Sequence, residues 1–116
     1  MKLSPQTTLL VMALEMEARG KIEALGFPIV FTGVGKVNAA HALTKYLALC
    51  EHMGHMPKLV LNIGTAGSRQ FKAGSLVACH RFEQRDMDVT PLGMKPYETP
   101  FDDRPLTIEH PKIFTD

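Results

Sequence analysis

An α/β fold built on a parallel sheet is what this sequence predicts, and three observations carry the prediction. Short apolar runs of strand length recur along the N-terminal part of the chain. Segments with apolar residues at helical spacing lie between them. Glycines stand where several of the runs end. Strands that alternate with helices close most simply into a parallel sheet through crossover connections.

The elements follow in order. "TTLLVMAL" (7–14) is a continuous apolar run, the pattern of a strand buried on both faces. "EMEARGKIEALGF" (15–27) turns polar, with Ala18, Ile22 and Leu25 at helical spacing; Gly26 suits the C′ position and Pro28 ends any helix that remains. "PIVFTGV" (28–34) reads as a second strand. "KVNAAHALTKYLALCEH" (36–52) is the clearest helix, with Ala40, Leu43, Leu47 and Cys50 on one stripe. "KLVLNIG" (58–64) is a third strand and "SLVACHRF" (75–82) a fourth. From Thr90 onward prolines stand at 91, 96, 100, 105 and 111, a density that defeats helix and interior strand alike. An extended or poorly ordered segment is expected there. No internal repeat or low-complexity tract is present.

Composition narrows the function classes. At 116 residues the chain holds one domain at most. It is 45% hydrophobic and 22% charged, so it can form a packed core. The net charge is +1 with Lys and Arg scattered, which argues against a nucleic-acid partner. No apolar run approaches a membrane span, and "EMEAR" follows the first run where a signal peptide would carry a small-residue cleavage site. Cys50 and Cys79 lie far apart in apolar stretches and read as two free, buried thiols in a reducing cytoplasm. A soluble, cytoplasmic protein is expected.

Two Gly-rich segments invite a ligand. "TGVGKVNAA" (32–40) is not a P-loop, because Val30 and Val37 occupy positions that need Gly and Ser or Thr. It is not a dinucleotide fingerprint either, because Asn38 stands where the third Gly belongs. Spacing alone favours a plain strand-to-helix turn. In "LNIGTAGS" (61–68), Gly64 and Gly67 permit positive φ or close approach, Thr65 offers a hydroxyl and Ala66 keeps the wall low. The ends of three expected strands, "ALEME", "TGVGK" and "NIGTAGS", meet on one edge of a parallel sheet, where ligands bind. Glu15 and Glu17 at the first of these ends suit a general base. They equally suit first-turn acids favoured by the helix dipole. "CEHMGH" (50–55) gathers Cys50, His52 and His55, but it has no matching second ligand pair for a metal. "RDMDVTPLG" (85–93) is a solvated strand end or a loop closing over a pocket.

Taken in order, "ALEMEA" (13–18), "TGVGKVNAA" (32–40), "LNIGTAGS" (61–68), "KAGSLVA" (72–78) and "RDMDVTPLG" (85–93) resemble the purine nucleoside phosphorylase and nucleosidase superfamily. The 5′-methylthioadenosine/S-adenosylhomocysteine nucleosidases are the nearer likeness. The resemblance spans roughly residues 7 to 95. It implies a three-layer α/β/α fold around a mixed sheet, present here only in its N-terminal part (1–90), followed by the Pro-rich tail (91–116). It also implies a homodimer or larger homo-oligomer, a purine nucleoside substrate, and neither cofactor nor metal.

Residue by residue, Glu17 matches the acid that activates the attacking water. Thr65 matches the hydroxyl near the nucleophile, and Ala66 and Gly67 match the backbone lining base and sugar. Gly33 and Val34 match the ribose end. Phosphorylases of the superfamily often carry an Arg before the Gly-Ser/Thr turn, where Asn62 stands here; hydrolysis is therefore favoured over phosphorolysis. The connection from "ALEMEA" to "TGVGK" is short, without room for the β-hairpin that relatives commonly place there. The family's later Met-Glu motif, which binds ribose, and its Ser-Asp leaving-group acid have no counterpart in the sequence. "LEMEA" resembles that Met-Glu motif, but its position before "TGVGK" assigns it to the N-terminal one. Little or no turnover is expected from these 116 residues alone. A partial fold also exposes apolar surface, so self-association is expected.

Overall fold

The computed structural model describes residues 2–104 and 107–110. They fall into two units, Lys2–Arg69 and the residues from Gln70 onward. The sequence places the change of character later, near residue 90.

The first unit is a parallel α/β layer. Its strands are β1 (Thr8–Met12), β2 (Ile29–Phe31) and β3 (Leu59–Asn62), in the order β2-β1-β3. Leu10 lies level with Ile29 on one side and with Leu61 on the other. The central strand β1 therefore has a ladder on both edges, and all five of its residues are buried. That burial accounts for its unbroken apolar run. On β3, Leu59 and Leu61 are half-buried while Val60 and Asn62 are exposed, as suits a strand at the edge.

The region 15–27 departs from the single expected helix. It holds a short α1 (Glu15–Ala18), then Arg19 and Gly20 in left-handed conformation at φ 52° and 72°, then a 3-10 turn at Glu23–Leu25. Two successive left-handed residues break the i→i−4 ladder, and Gly20 adopts that conformation without strain. Ala18 is buried and Ile22 half-buried, but Leu25 faces solvent. Gly26, at φ 78°, closes the 3-10 turn through its N–H to the Glu23 carbonyl.

The second helix, α2 (Lys36–His52), has the expected bounds. Its half-buried flank is Ala39, Ala42, Leu43, Tyr46, Leu47 and Cys50, so the stripe is rotated slightly and Ala40 lies outside it. The helix ends in a Schellman motif. Gly54 at φ 73° donates to the Glu51 carbonyl, and the His55 N–H reaches back to the Cys50 carbonyl. The Cys-His spacing of "CEHMGH" is thus the spacing of a helix stop. Among the described residues no three His, Cys, Asp or Glu side chains group as metal ligands. Nor is any described helix long and apolar enough to cross a membrane.

The second unit carries an antiparallel pair, β4 (Arg81–Glu83) and β5 (Thr107–Glu109). The strand expected over 75–82 is a correction: only its last two residues join β4. Residues 75–80 form no strand, Leu76 is fully exposed, and Cys79, expected to be buried, is an exposed free thiol, while Cys50 on α2 is only half-buried. An apolar run becomes a strand only where a second strand supplies the ladder, and β5 supplies it from Arg81 onward. In the Pro-rich stretch, Pro91 sits in the first turn of a 3-10 segment at Thr90–Leu92, where its missing N–H costs nothing. Positions 105 and 111 of the proline series lie outside the described residues.

Asp102 accepts hydrogen bonds from the side chain and backbone N–H of Arg104. These hold its carboxyl down at about 2. A depressed carboxyl pKa contributes stability above the unfolded value, here near 3.8, and that contribution fades as pH falls through about 2. A carboxyl-carbon NMR titration should give Asp102 a midpoint near 2. Arg104→Ala should return it toward 3.8; an unmoved midpoint would refute the pairing.

Candidate functional site

The strand order sets where a site can form. From β1 the chain moves to β2 on one side, then crosses by α2 to β3 on the other. The winding reverses between β1 and β3, and the crevice outside their carboxyl ends is where open α/β sheets bind ligands. Two side chains meet there. Glu17 follows β1 on α1, and Thr65 follows β3. Glu17 Oε2 accepts from Thr65 Oγ1 at 2.8 Å and from the Thr65 N–H at 3.1 Å. Glu17 Oε1 accepts from the Leu14 N–H at 3.3 Å.

Local structure explains the aim. Glu17 is the third residue of α1, and its carboxylate reaches back to the backbone of the residue before the helix, half of a capping box. Leu14 itself has no side-chain acceptor to complete the box. Gly64 lies beside the carboxylate, and a Cβ there would make only ordinary contact with Glu17 Oε2, at 4.0 Å. Neither Gly64 nor Gly67 has a positive φ, and a Cβ at Gly67 would meet nothing within 4 Å.

The remaining expected site residues lie on the same strand ends but do not touch the Glu17 carboxylate. Ala66 and Gly67 are exposed beyond Thr65. Gly33, at φ 78°, and the exposed Val34 form the turn between β2 and α2. A groove of about 530 Å³ opens where that turn, α2 and the sheet meet; Ala13, Thr32, Gly33, Lys36, Val60 and Asn62 contribute to its walls. Glu17 and Thr65 stand outside its lining. Sequence reasoning missed the Leu14 N–H as a partner of Glu17. The signal was the three-residue offset itself, which Leu at the cap position disguises.

A carboxylate offers about four acceptor positions. Three are engaged by the donors above, and the last can take a water. The arrangement is a half-buried carboxylate held at a strand end, with a hydroxyl beside it.

Comparison with known proteins identifies the family. The phosphorylase superfamily profile matches residues 18–111, starting one residue after Glu17. A 5′-methylthioadenosine/S-adenosylhomocysteine nucleosidase from Haemophilus influenzae (strain PittEE) is 34% identical over 83 residues, covering 70% of this chain and 34% of the relative. Proteins of the same name from Marinomonas sp. (strain MWYL1) and Hydrogenovibrio crunogenus (strain DSM 25203 / XCL-2) are each 34% identical over 76 residues, covering 64% of this chain and 31% of the relative. The chain spans about a third of the length of the curated relatives it matches.

Proposed function

The chain belongs to the phosphorylase superfamily, and from that premise we propose that it forms the water-activating part of a purine nucleosidase. The observation that carries this reading is the Glu17 carboxylate held by Thr65 at the β1/β3 reversal. The substrate class is a purine nucleoside such as 5′-methylthioadenosine or S-adenosylhomocysteine, the compounds named for the relatives. The parallel sheet and α2 form the N-terminal part of a three-layer α/β/α domain that works in the cytoplasm as a homodimer or larger assembly.

In the proposed reaction a water oxygen bonds to C1′ of the sugar and the C1′–N9 bond breaks. The bonding pair leaves with the purine, and Glu17 takes the water proton. Thr65 holds Glu17 in place and lies beside the nucleophile. Ala66, Gly67, Gly33 and Val34 line the base and sugar. The departing purine also needs a proton, and general acid help at that point is worth roughly 10²–10⁴-fold. The sequence contains no Ser-Asp pair to match the family's acid, so turnover by this chain is slow.

Asn62, in place of an Arg, favours water over phosphate, because a dianion lacks its bidentate partner. The test is adenine release from methylthioadenosine with and without inorganic phosphate, with the sugar product identified. Slow, phosphate-independent release of methylthioribose is expected. Phosphate-dependent release of the sugar 1-phosphate would make the protein a phosphorylase. Turnover at ordinary enzyme rates would show that the chain carries its own acid. Tight nucleoside binding with no cleavage would leave a binding module.

A further inference from the structure

The pair β4 and β5 sorts its side chains onto two unlike faces. Arg81 lies opposite Glu109, Phe82 opposite Ile108 and Glu83 opposite Thr107. On one face Glu83 Oε1 accepts from Arg81 Nη2 at 3.0 Å and from Thr107 Oγ1 at 3.1 Å, so these polar groups answer one another. The other face carries Phe82 and Ile108. The ladder runs one step further there, because the His110 N–H donates to the His80 carbonyl at 2.8 Å. His80 therefore stands opposite His110. Side chains alternate along a strand, which puts His80 on the face of Phe82 and His110 on the face of Ile108. The rings agree with this: Phe82 and His110 meet edge to face, 5.6 Å apart at 71°.

Residues directly opposite on an antiparallel pair hold their Cβ atoms about 4.5–5.5 Å apart. Two imidazoles on such a base can each bring one ring nitrogen onto a shared cation. Tetrahedral Zn²⁺, with bonds of about 2.0–2.1 Å, needs those nitrogens about 3.4 Å apart. That is less than the Cβ separation, so the rings have only to lean together. Contact with Phe82 limits the swing of the His110 ring. Both histidines are exposed, so a cation reaches them from solvent. Glu83 and Glu109 belong to the opposite face.

We propose that His80 and His110 form a cross-strand binding site for a divalent first-row cation such as Zn²⁺. The site uses none of the residues assigned to the nucleoside. Imidazole suits this class of metal, whereas Mg²⁺ and Ca²⁺ take oxygen ligands. Two protein ligands make the site reversible, since a permanent structural zinc takes four. The bound cation clips β4 to β5. A two-stranded pair is marginal by itself, and a metal clip that closes a long loop has the most entropy to remove.

The test is a Zn²⁺ titration of the whole chain. Of its five histidines, His80 and His110 should shift together in ring-proton NMR, ahead of His41, His52 and His55. His80→Thr and His110→Thr each keep a strand-forming residue and remove one ligand. Each should weaken Zn²⁺ by about tenfold or more, since even the loss of an outer-shell partner costs that much. The double variant should bind little more weakly than either. His52→Gln with His55→Gln, and Cys79→Ser, should leave the affinity unchanged. With free Zn²⁺ at about ten times its Kd, exchange of the His110 amide should slow about tenfold, because opening the pair releases the metal. Unchanged affinity in either Thr variant, or loss of binding in the His52/His55 or Cys79 variants, would overturn the proposal. Should the Thr variants fail to fold, the wild-type protein decides. Zn²⁺ that moves both rings and slows the amide upholds the site, and Zn²⁺ that leaves either ring unmoved refutes it.

Discussion

Glu17→Gln should reduce phosphate-independent adenine release from methylthioadenosine by about 10²–10⁴-fold relative to the wild-type chain. The size follows from losing a general base. The geometry adds a second reason. Among the described residues, all three partners of the Glu17 carboxylate are donors: the Leu14 N–H on one oxygen, the Thr65 N–H and hydroxyl on the other. A Gln amide has one accepting oxygen and one donating nitrogen. Whichever way it turns, its NH₂ faces an N–H, so the side chain leaves its position as well as losing its basicity. Thr65→Val separates the two effects, because it removes one donor and keeps the base; its loss should be clearly smaller. Because slow wild-type turnover is expected, the measurement is single-turnover release with protein in excess over nucleoside. Wild-type rates from Glu17→Gln would end the assignment of Glu17 as the base.

Glu17 and Thr65 also mark how far a sequence can be read. Glu17 alone suits a helix-dipole acid as well as it suits a base, and Thr65 alone is a small residue in a tight turn. They are 48 residues apart, and only the order β2-β1-β3 brings them together. Their chemistry was legible through resemblance, but their contact was a matter of topology. β1 and α2 were legible because each follows a single rule throughout: burial on both faces for β1, helical periodicity for α2. The break at Arg19 and Gly20 was hidden because Ala18, Ile22 and Leu25 keep a helical period across it, and one Gly in a helical pattern is tolerated. The strand expected over 75–82 failed for a different reason. Its apolar run satisfies every local criterion, yet a strand is defined by its neighbour, and only Arg81–Glu83 has one. Asn38 shows the converse, since in the sequence it only spoils a dinucleotide fingerprint. Its bond to the Val34 carbonyl depends on the turn that the flanking glycines create.

Leu9→Ala should be the most damaging single change to stability. Among the described residues the buried hydrophobics are Leu9, Leu10, Val11, Met12 and Ala18. Four of the five lie on β1, so one strand carries most of the core. Leu9 is 1% exposed and lies level with Val60 of β3. Truncating a buried Leu to Ala costs about 2–5 kcal/mol through lost transfer energy and a residual cavity. Native stability is only about 5–15 kcal/mol in total. With so few buried side chains, little is left to share the loss. At about 4–8 °C per kcal/mol for a small domain, a Tm decrease of at least 8 °C is expected, or no cooperative transition at all. Leu25→Ala is the control. Its side chain is 59% exposed on the 3-10 turn, and it should stay within about 0.5 kcal/mol of wild type. Thermal unfolding followed by circular dichroism separates the two, and equal shifts would mean that β1 is not where the stability resides. The consequence reaches the site, because β1 leads directly into α1 and Glu17. Leu9→Ala should lose adenine release in step with folded fraction, while Glu17→Gln should lose it with the fold intact. Measured together, the two variants distinguish a base that reacts from a strand that holds the base in place.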